Sequence, residues 1–116
     1  MCSVLQVRQL EVRVGAQAQH LPIFVRMMDK DSQWDNNNGL STLIPHALTF
    51  GLIGYPFVLP DMVGGNGYVL LPDRELFIRW TQVNVFLPSL QFSIAPWQYD
   101  SELVRIVNNM MAIRAR

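Results

Sequence analysis

The sequence predicts an α/β fold made of three consecutive βα units around a parallel sheet. Three observations lead there. Short, strongly apolar runs of strand length recur along the chain, polar or glycine-rich loops follow them, and each loop leads into a segment whose apolar residues return every three or four positions. Alternation at this spacing argues for parallel strands covered by helices.

Taken in order, residues 22–26, PIFVR, are short, apolar and β-branched, which fits a buried strand. The polar stretch DKDSQWDNNNG fills residues 29–39. Over residues 40–53 the positions Leu40, Leu43, Ile44, Ala47, Leu48 and Leu52 keep a helical period, with Ser41 and Thr42 near the start and Gly54 suited to the end. Pro45 falls in the first turn, where a missing N–H is least costly. A second strand is predicted at residues 56–59, ahead of a loop with three glycines. From Asp73 the stripe Leu76, Phe77, Trp80, Val83, Phe86 and Leu87 marks a helix packed on one face and stopped by Pro88. SLQFSI at 89–94 reads as the third strand, and Asp100 or Ser101 caps a last helix bearing Leu103, Val104, Val107, Met110 and Met111 on one side.

Three such units bury poorly alone, because a parallel sheet needs both faces and both edges covered. A small flavodoxin-like domain lacking strands is one reading. The other is part of a (β/α)8 barrel, which takes roughly 250 residues when complete. The chain then reads over its whole length, 1–116, as an incomplete barrel with no second domain.

Composition narrows the function classes. The chain has 116 residues, half of them hydrophobic, and nine basic side chains balance nine acidic ones. This is a globular composition. With zero net charge and no Lys/Arg cluster, it carries no electrostatic footprint for nucleic acid. Cys2 is the single cysteine, so neither a disulfide framework nor a cysteine-based zinc site is available. No apolar run approaches the roughly 18–20 residues of a membrane span. MCSVLQVRQLEVRVG is not a secretory signal, since Arg8, Glu11 and Arg13 interrupt its apolar residues. Read as it stands, the chain begins in the cytosol unless its true N-terminus lies upstream.

In either architecture, function gathers at the C-terminal ends of the strands. The polar residues there are Asp29, Asp31 and Ser32, then Asp61 and Asn66, then Gln91 and Ser93, with Trp34 and Trp97 in the same loops. Carboxylates beside tryptophans suit carbohydrate, because indole stacks on sugar C–H faces while carboxylates accept hydroxyl hydrogen bonds or trade protons. The same inventory also fits ordinary loop acids that cap helices. His20 and His46 are lone histidines without metal-ligand spacing, and read as structural. Asp29 and Asp31 have no third convergent ligand in sequence, so no metal site is expected. GGNG at 64–67 lacks the dinucleotide-binding spacing and opens no helix, and no P-loop or nucleophile elbow occurs, so no cofactor is expected.

The run GLIGYPFVLPDMVGGNGY at 51–68, followed by RELFIRWTQVNVFLPSLQFSIAPWQYD at 74–100, resembles the later part of the catalytic barrel of glycoside hydrolase family 31. VRVG, DKDSQW, LIP and PDMVGGN are similar to an animal branch of that family. The likeness runs over residues 11–114. It implies retaining hydrolysis of α-glycosides on a (β/α)8 barrel, by a nucleophilic aspartate and an acid/base aspartate about 5–5.5 Å apart. By position, the resemblance gives Asp29 the acid/base role and Arg13 a supporting one, with Asp31 as alternative because the DKD doublet permits a two-residue slip. It puts Asp61 on the sugar-binding end of the next strand and makes Trp34 a neighbour of the sugar. Gln91 to Ser93 fall where many relatives carry an active-site histidine. None stands here, which implies a different substrate preference, and the branch implies an α-galactoside.

The family's nucleophile belongs to a W-x-D motif on an earlier strand. Here Trp34-Asp35 lies after the acid/base position. The resemblance therefore implies half of a carboxylate pair, and a chain inactive on its own. A non-catalytic sugar- or partner-binding α/β module is the alternative. Relatives of this kind act in the secretory pathway, although these residues include no signal for it.

Overall fold

The structure is a computed structural model that describes residues 10–13, 15–68 and 70–116. Three short strands, β1 (Glu11–Val12), β2 (Phe24–Arg26) and β3 (Val58–Leu59), form one parallel sheet in that order. Three α-helices follow the strands and the last sheet contact: α1 (Leu43–Leu52), α2 (Arg74–Asn84) and α3 (Ser101–Arg114). A small parallel sheet with three helices is the expected class, but the sheet is composed differently. β1 is an additional strand, and residues 89–94 contribute a single parallel bridge, Met62 with Gln91, in place of a full strand.

Register explains the two faces of the sheet. Val25 pairs with Val58 and Arg26 with Leu59, while Glu11 pairs with Phe24. Side chains alternate along a strand, so Glu11, Phe24, Arg26, Phe57 and Leu59 share one face, and Val12, Val25 and Val58 share the other. Phe24 and Phe57 meet on the first face with ring centroids 5.8 Å apart. On the second face Val25 and Val58 are buried. The Tyr55 hydroxyl donates to the Gly15 carbonyl and so ties the β1–β2 connection to the end of α1.

The main core lies around α2 and α3, where Leu76, Phe77, Trp80, Leu103 and Val107 pack with Val63 and Ile94. Both helices start on the residues the sequence marks. The Asp73 carboxylate accepts from the Glu75 and Leu76 N–H groups, and Asp100 accepts from Leu103 N–H at 2.7 Å. Arg74, at the start of α2, reaches Asp100 and Glu102 at the start of α3. Arg114, at the end of α3, donates to the carbonyls of Val85 and Leu87 just beyond α2, satisfying groups a helix end leaves open. Like end meets like end, so α2 and α3 run parallel, as successive βα units require.

α1 differs. A 3₁₀ turn (Leu40–Thr42) leads into it, Pro45 takes a first-turn position, and Gly54 follows it at φ +94°. Of its apolar stripe only Leu43 is buried, and Ile44, Leu48 and Leu52 lie exposed along one side.

Candidate functional site

The three strands deliver their polar residues to one edge. Arg13 stands one residue past β1, Asp29 three past β2 and Asp61 two past β3, all at C-terminal ends. Arg26, the last residue of β2, lies between the two acids. Its guanidinium donates to Asp29 Oδ1 at 3.1 Å and pairs with Asp61 Oδ1. Arg13 Nη2 donates to the same Asp29 Oδ1 at 2.7 Å, and the Tyr68 hydroxyl donates to Asp29 Oδ2 at 2.8 Å.

The two acids sit in opposite surroundings. Asp29 keeps 40% of its side chain exposed and faces two cations. The Tyr68 hydroxyl, then the Arg26 and Arg13 guanidiniums, hold its carboxyl below the ordinary aspartate value. Asp61 is fully buried, and burial pushes its carboxyl upward against the Lys30 backbone N–H and the Arg26 charge. Its Oδ2 accepts from Lys30 N–H at 2.7 Å and from Asn66 Nδ2 at 3.0 Å. Asp61 also has φ +71°, a left-handed conformation that a non-glycine residue holds only when its surroundings enforce it. The carboxylate's donors supply that enforcement.

Lys30 connects the two loops. Its carbonyl accepts from both the backbone N–H and the side-chain amide of Asn66, each at 2.9 Å. Its ammonium is buried and donates at 2.7 Å to Thr42 Oγ1 and at 2.7 Å to His46 Nδ1. An ammonium can only donate, so the His46 ring is neutral and accepts at Nδ1. Burial lowers the Lys30 pKa, and burial together with the Lys30 charge lowers that of His46. His46, a structural histidine by sequence, is thus part of the scaffold behind Asp29.

The glycine loop closes the rim. Gly65 has φ +76°, and a Cβ there would lie 2.8 Å from Ser32 N and 2.9 Å from the Asp31 carbonyl carbon. The close approach that the glycines permit is that of the chain's own 29–32 loop. Tyr68 follows at the far end of the loop, and a cavity of about 300 Å³ lies between Tyr68, Asp31, Ser32, Leu71 and Asp73.

Of the residues singled out from sequence, Asp29, Arg13 and Asp61 come together in one ion-pair network. Asp31 is joined to it through Asn38, whose Nδ2 donates to the Asp29 carbonyl at 2.9 Å and to Asp31 Oδ2 at 3.2 Å. Trp34 stands half exposed in the same loop, its carbonyl accepting from Ser41 Oγ. Gln91 sits at the bridge to Met62, with its side-chain Oε1 buried and lacking a hydrogen-bond partner among the described residues. Sequence reasoning passed over Arg26, Lys30 and Tyr68, while Asn66, named there among the polar residues at strand ends, binds the Lys30 carbonyl and Asp61 Oδ2. A charge closing the apolar run PIFVR was the available signal for Arg26; nothing in the sequence marks the Tyr68 contact. Among the described residues, no cluster of three His, Cys, Asp or Glu side chains is placed to hold a metal ion, and no helix is long and apolar enough to cross a membrane.

A family model described as the glycosyl hydrolases family 31 TIM-barrel domain matches residues 16–116. This chain belongs to glycoside hydrolase family 31. It is 48% identical over 114 residues to the mouse myogenesis-regulating glycosidase, an alignment that covers 90% of this chain and 16% of that protein. It is 44% identical over 91 residues to the SITS-binding protein of Tetronarce californica, covering 76% of this chain and 13% of the relative. To the bovine lysosomal alpha-glucosidase it is 38% identical over 58 residues, covering 50% of the chain and 6% of the relative. The chain thus spans less than a fifth of the length of these relatives. Its small parallel sheet with three helices is compatible with part of the family's barrel.

Proposed function

We propose that these 116 residues form the acid/base side of the sugar site of a retaining α-glycosidase, as later βα units of a single barrel domain. The observation that carries the reading is Asp29, a partly exposed carboxylate at a strand's C-terminal end with both guanidiniums on Oδ1 and the Tyr68 hydroxyl on its other oxygen. Asp29 serves as acid/base and Arg13 as its support. Asp31 is the alternative acid/base, held less favourably because its carboxylate faces Asn38. Asp61 lines the sugar end from below, acting through Arg26, while Trp34 and Gln91 lie toward the bound sugar.

In such a reaction the acid must be protonated when the glycosidic bond breaks. Asp29 is held in its ionised form by its present neighbours, which suits the second, water-activating step better than the first. A second carboxylate supplied from elsewhere in the barrel, about 5–5.5 Å away, is the ordinary means of raising such a group, because two like charges so close resist joint ionisation. That second carboxylate is also the nucleophile. These residues therefore hold one half of a pair, and the substrate is a carbohydrate α-glycoside bound by the whole barrel.

Kinetics of the full-length protein on α-glycosides with poor leaving groups test the assignment. Asp29→Asn is expected to lower kcat/KM by about 10²–10⁴-fold, while Asp31→Asn stays within a few fold of the parent. The reverse order would transfer the role to Asp31.

A further inference from the structure

Asp29 presents two unlike oxygens. Oδ1 takes the Arg13 and Arg26 guanidiniums, at 2.7 and 3.1 Å. Oδ2 takes the hydroxyl of Tyr68, at 2.8 Å. A guanidinium is a donor only, so a proton placed on Oδ1 would face two donors and lose both contacts. A phenol hydroxyl both donates and accepts. A proton on Oδ2 therefore keeps its partner if the Tyr68 O–H turns and its oxygen accepts.

We propose that Tyr68 is a positioning residue for the acid/base step, fixing Oδ2 as the oxygen that carries the proton and holding the carboxylate once the proton has left. The proposal rests on the acid/base reading of Asp29. When Asp29 is the acid, its Oδ2–H proton passes to the glycosidic oxygen while the barrel's second carboxylate bonds to the anomeric carbon, the C–O electron pair leaves with that oxygen, and the Tyr68 hydroxyl swings back to donate to Oδ2. When Asp29 then takes a proton from water, the hydroxyl reverses again. Tyr68 keeps its own hydrogen throughout; only the direction of the contact changes.

The surroundings give this role to Tyr68. The charged and titratable groups around Asp29 are Arg13 beyond β1, Arg26 on β2, Asp61 behind Arg26, Asp31 and Lys30 on its own loop, and Tyr68. The Lys30 ammonium is turned away to Thr42 and His46. Tyr68 is thus the neighbour among these that contacts Asp29 and can both donate and accept. Its side chain is 70% exposed, so the contact is not a by-product of core packing. The same contact favours the ionised carboxylate.

The test is the pH dependence of kcat/KM for the full-length protein on an aryl α-glycoside with a poor leaving group, comparing the parent, Tyr68→Phe and Asp29→Asn. The alkaline fall of kcat/KM reports the acid that must be protonated in the free enzyme. Removing the hydroxyl takes a donor from the ionised form, so Tyr68→Phe moves that fall to higher pH without changing Tm. A Tyr68 that merely anchored its loop would lower kcat/KM evenly across pH and leave the fall in place, which overturns the proposal. A fall moved to lower pH overturns it equally. If Asp29→Asn itself leaves turnover intact, the reading of Asp29 is wrong and the role of Tyr68 goes with it. A loss in Asp29→Asn with an unmoved fall in Tyr68→Phe sinks the Tyr68 proposal alone.

Discussion

Asp61 combines a left-handed backbone with a carboxylate wholly removed from solvent. Either feature alone costs free energy, and the compensation is specific: Lys30 N–H and the Asn66 amide on Oδ2, and the Arg26 guanidinium on Oδ1. Removing one partner of a buried ion pair strands the other, which typically costs about 3–5 kcal/mol. Asp61→Ala should therefore lower the denaturation midpoint by an amount of that order and also free Arg26, which orients Asp29. Asp61→Asn should cost less, because an amide oxygen still accepts from Lys30 and asparagine tolerates the left-handed region. Equal losses for the two variants, measured by denaturant titration, would mean that the lost charge beside Arg26 sets the whole cost and that the acceptor kept for Lys30 contributes nothing. The sequence shows why Asp61 stands out, as a lone acid closing an apolar run. It does not show that Arg26 lies beneath it, because that contact spans 35 positions and depends on strand register.

At the scale of elements, helices were more legible than strands. Asp73 and Asp100 cap where local chemistry says they should, and the first two positions of the α2 stripe, Leu76 and Phe77, are buried together with Trp80. Helix signals are local: a cap and a period lie within a few residues of each other. Strand extent depends on a distant partner. β1 is two residues, one of them the charged Glu11, too short for a pattern, and residues 89–94 meet their neighbour at one bridge, beside the left-handed turn that Asp61 and the glycines make. The glycine loop provides the prediction at this scale. Gly65→Ala puts a Cβ against the backbone of Asp31 and Ser32 in a left-handed conformation, and should destabilise by about 1–3 kcal/mol and reduce turnover. Gly51→Ala, inside α1 with open space around it, should be neutral or stabilising by about 0.5–1 kcal/mol. The pair separates packing from helix propensity by thermal melting.

Across the whole molecule, one side is finished and the other is open. α2 and α3 enclose a core, whereas the Ile44, Leu48 and Leu52 side of α1 faces outward. An apolar stripe of this kind is what a helix in a closed barrel lays against its neighbours. The proposed reading makes Asp29, with its two guanidiniums, one wall of a sugar site whose other carboxylate comes from another part of the barrel. On that account the 116 residues alone do not turn over aryl α-glycosides. Of the groups that flank Asp29, Arg13 was readable through the family resemblance; Arg26 and Tyr68 were not, and neither was the direction each carboxylate oxygen faces, since it depends on Tyr68 reaching across 39 positions. The most direct measurement is rescue of full-length Asp29→Asn by azide on an aryl α-glycoside with a good leaving group. Such a substrate departs without an acid, and azide replaces water without needing a base. The account predicts restored turnover and a glycosyl azide of retained α configuration. An Asp29→Asn enzyme that azide does not rescue, or one that hydrolyses poor-leaving-group substrates at the parent rate, would contradict it.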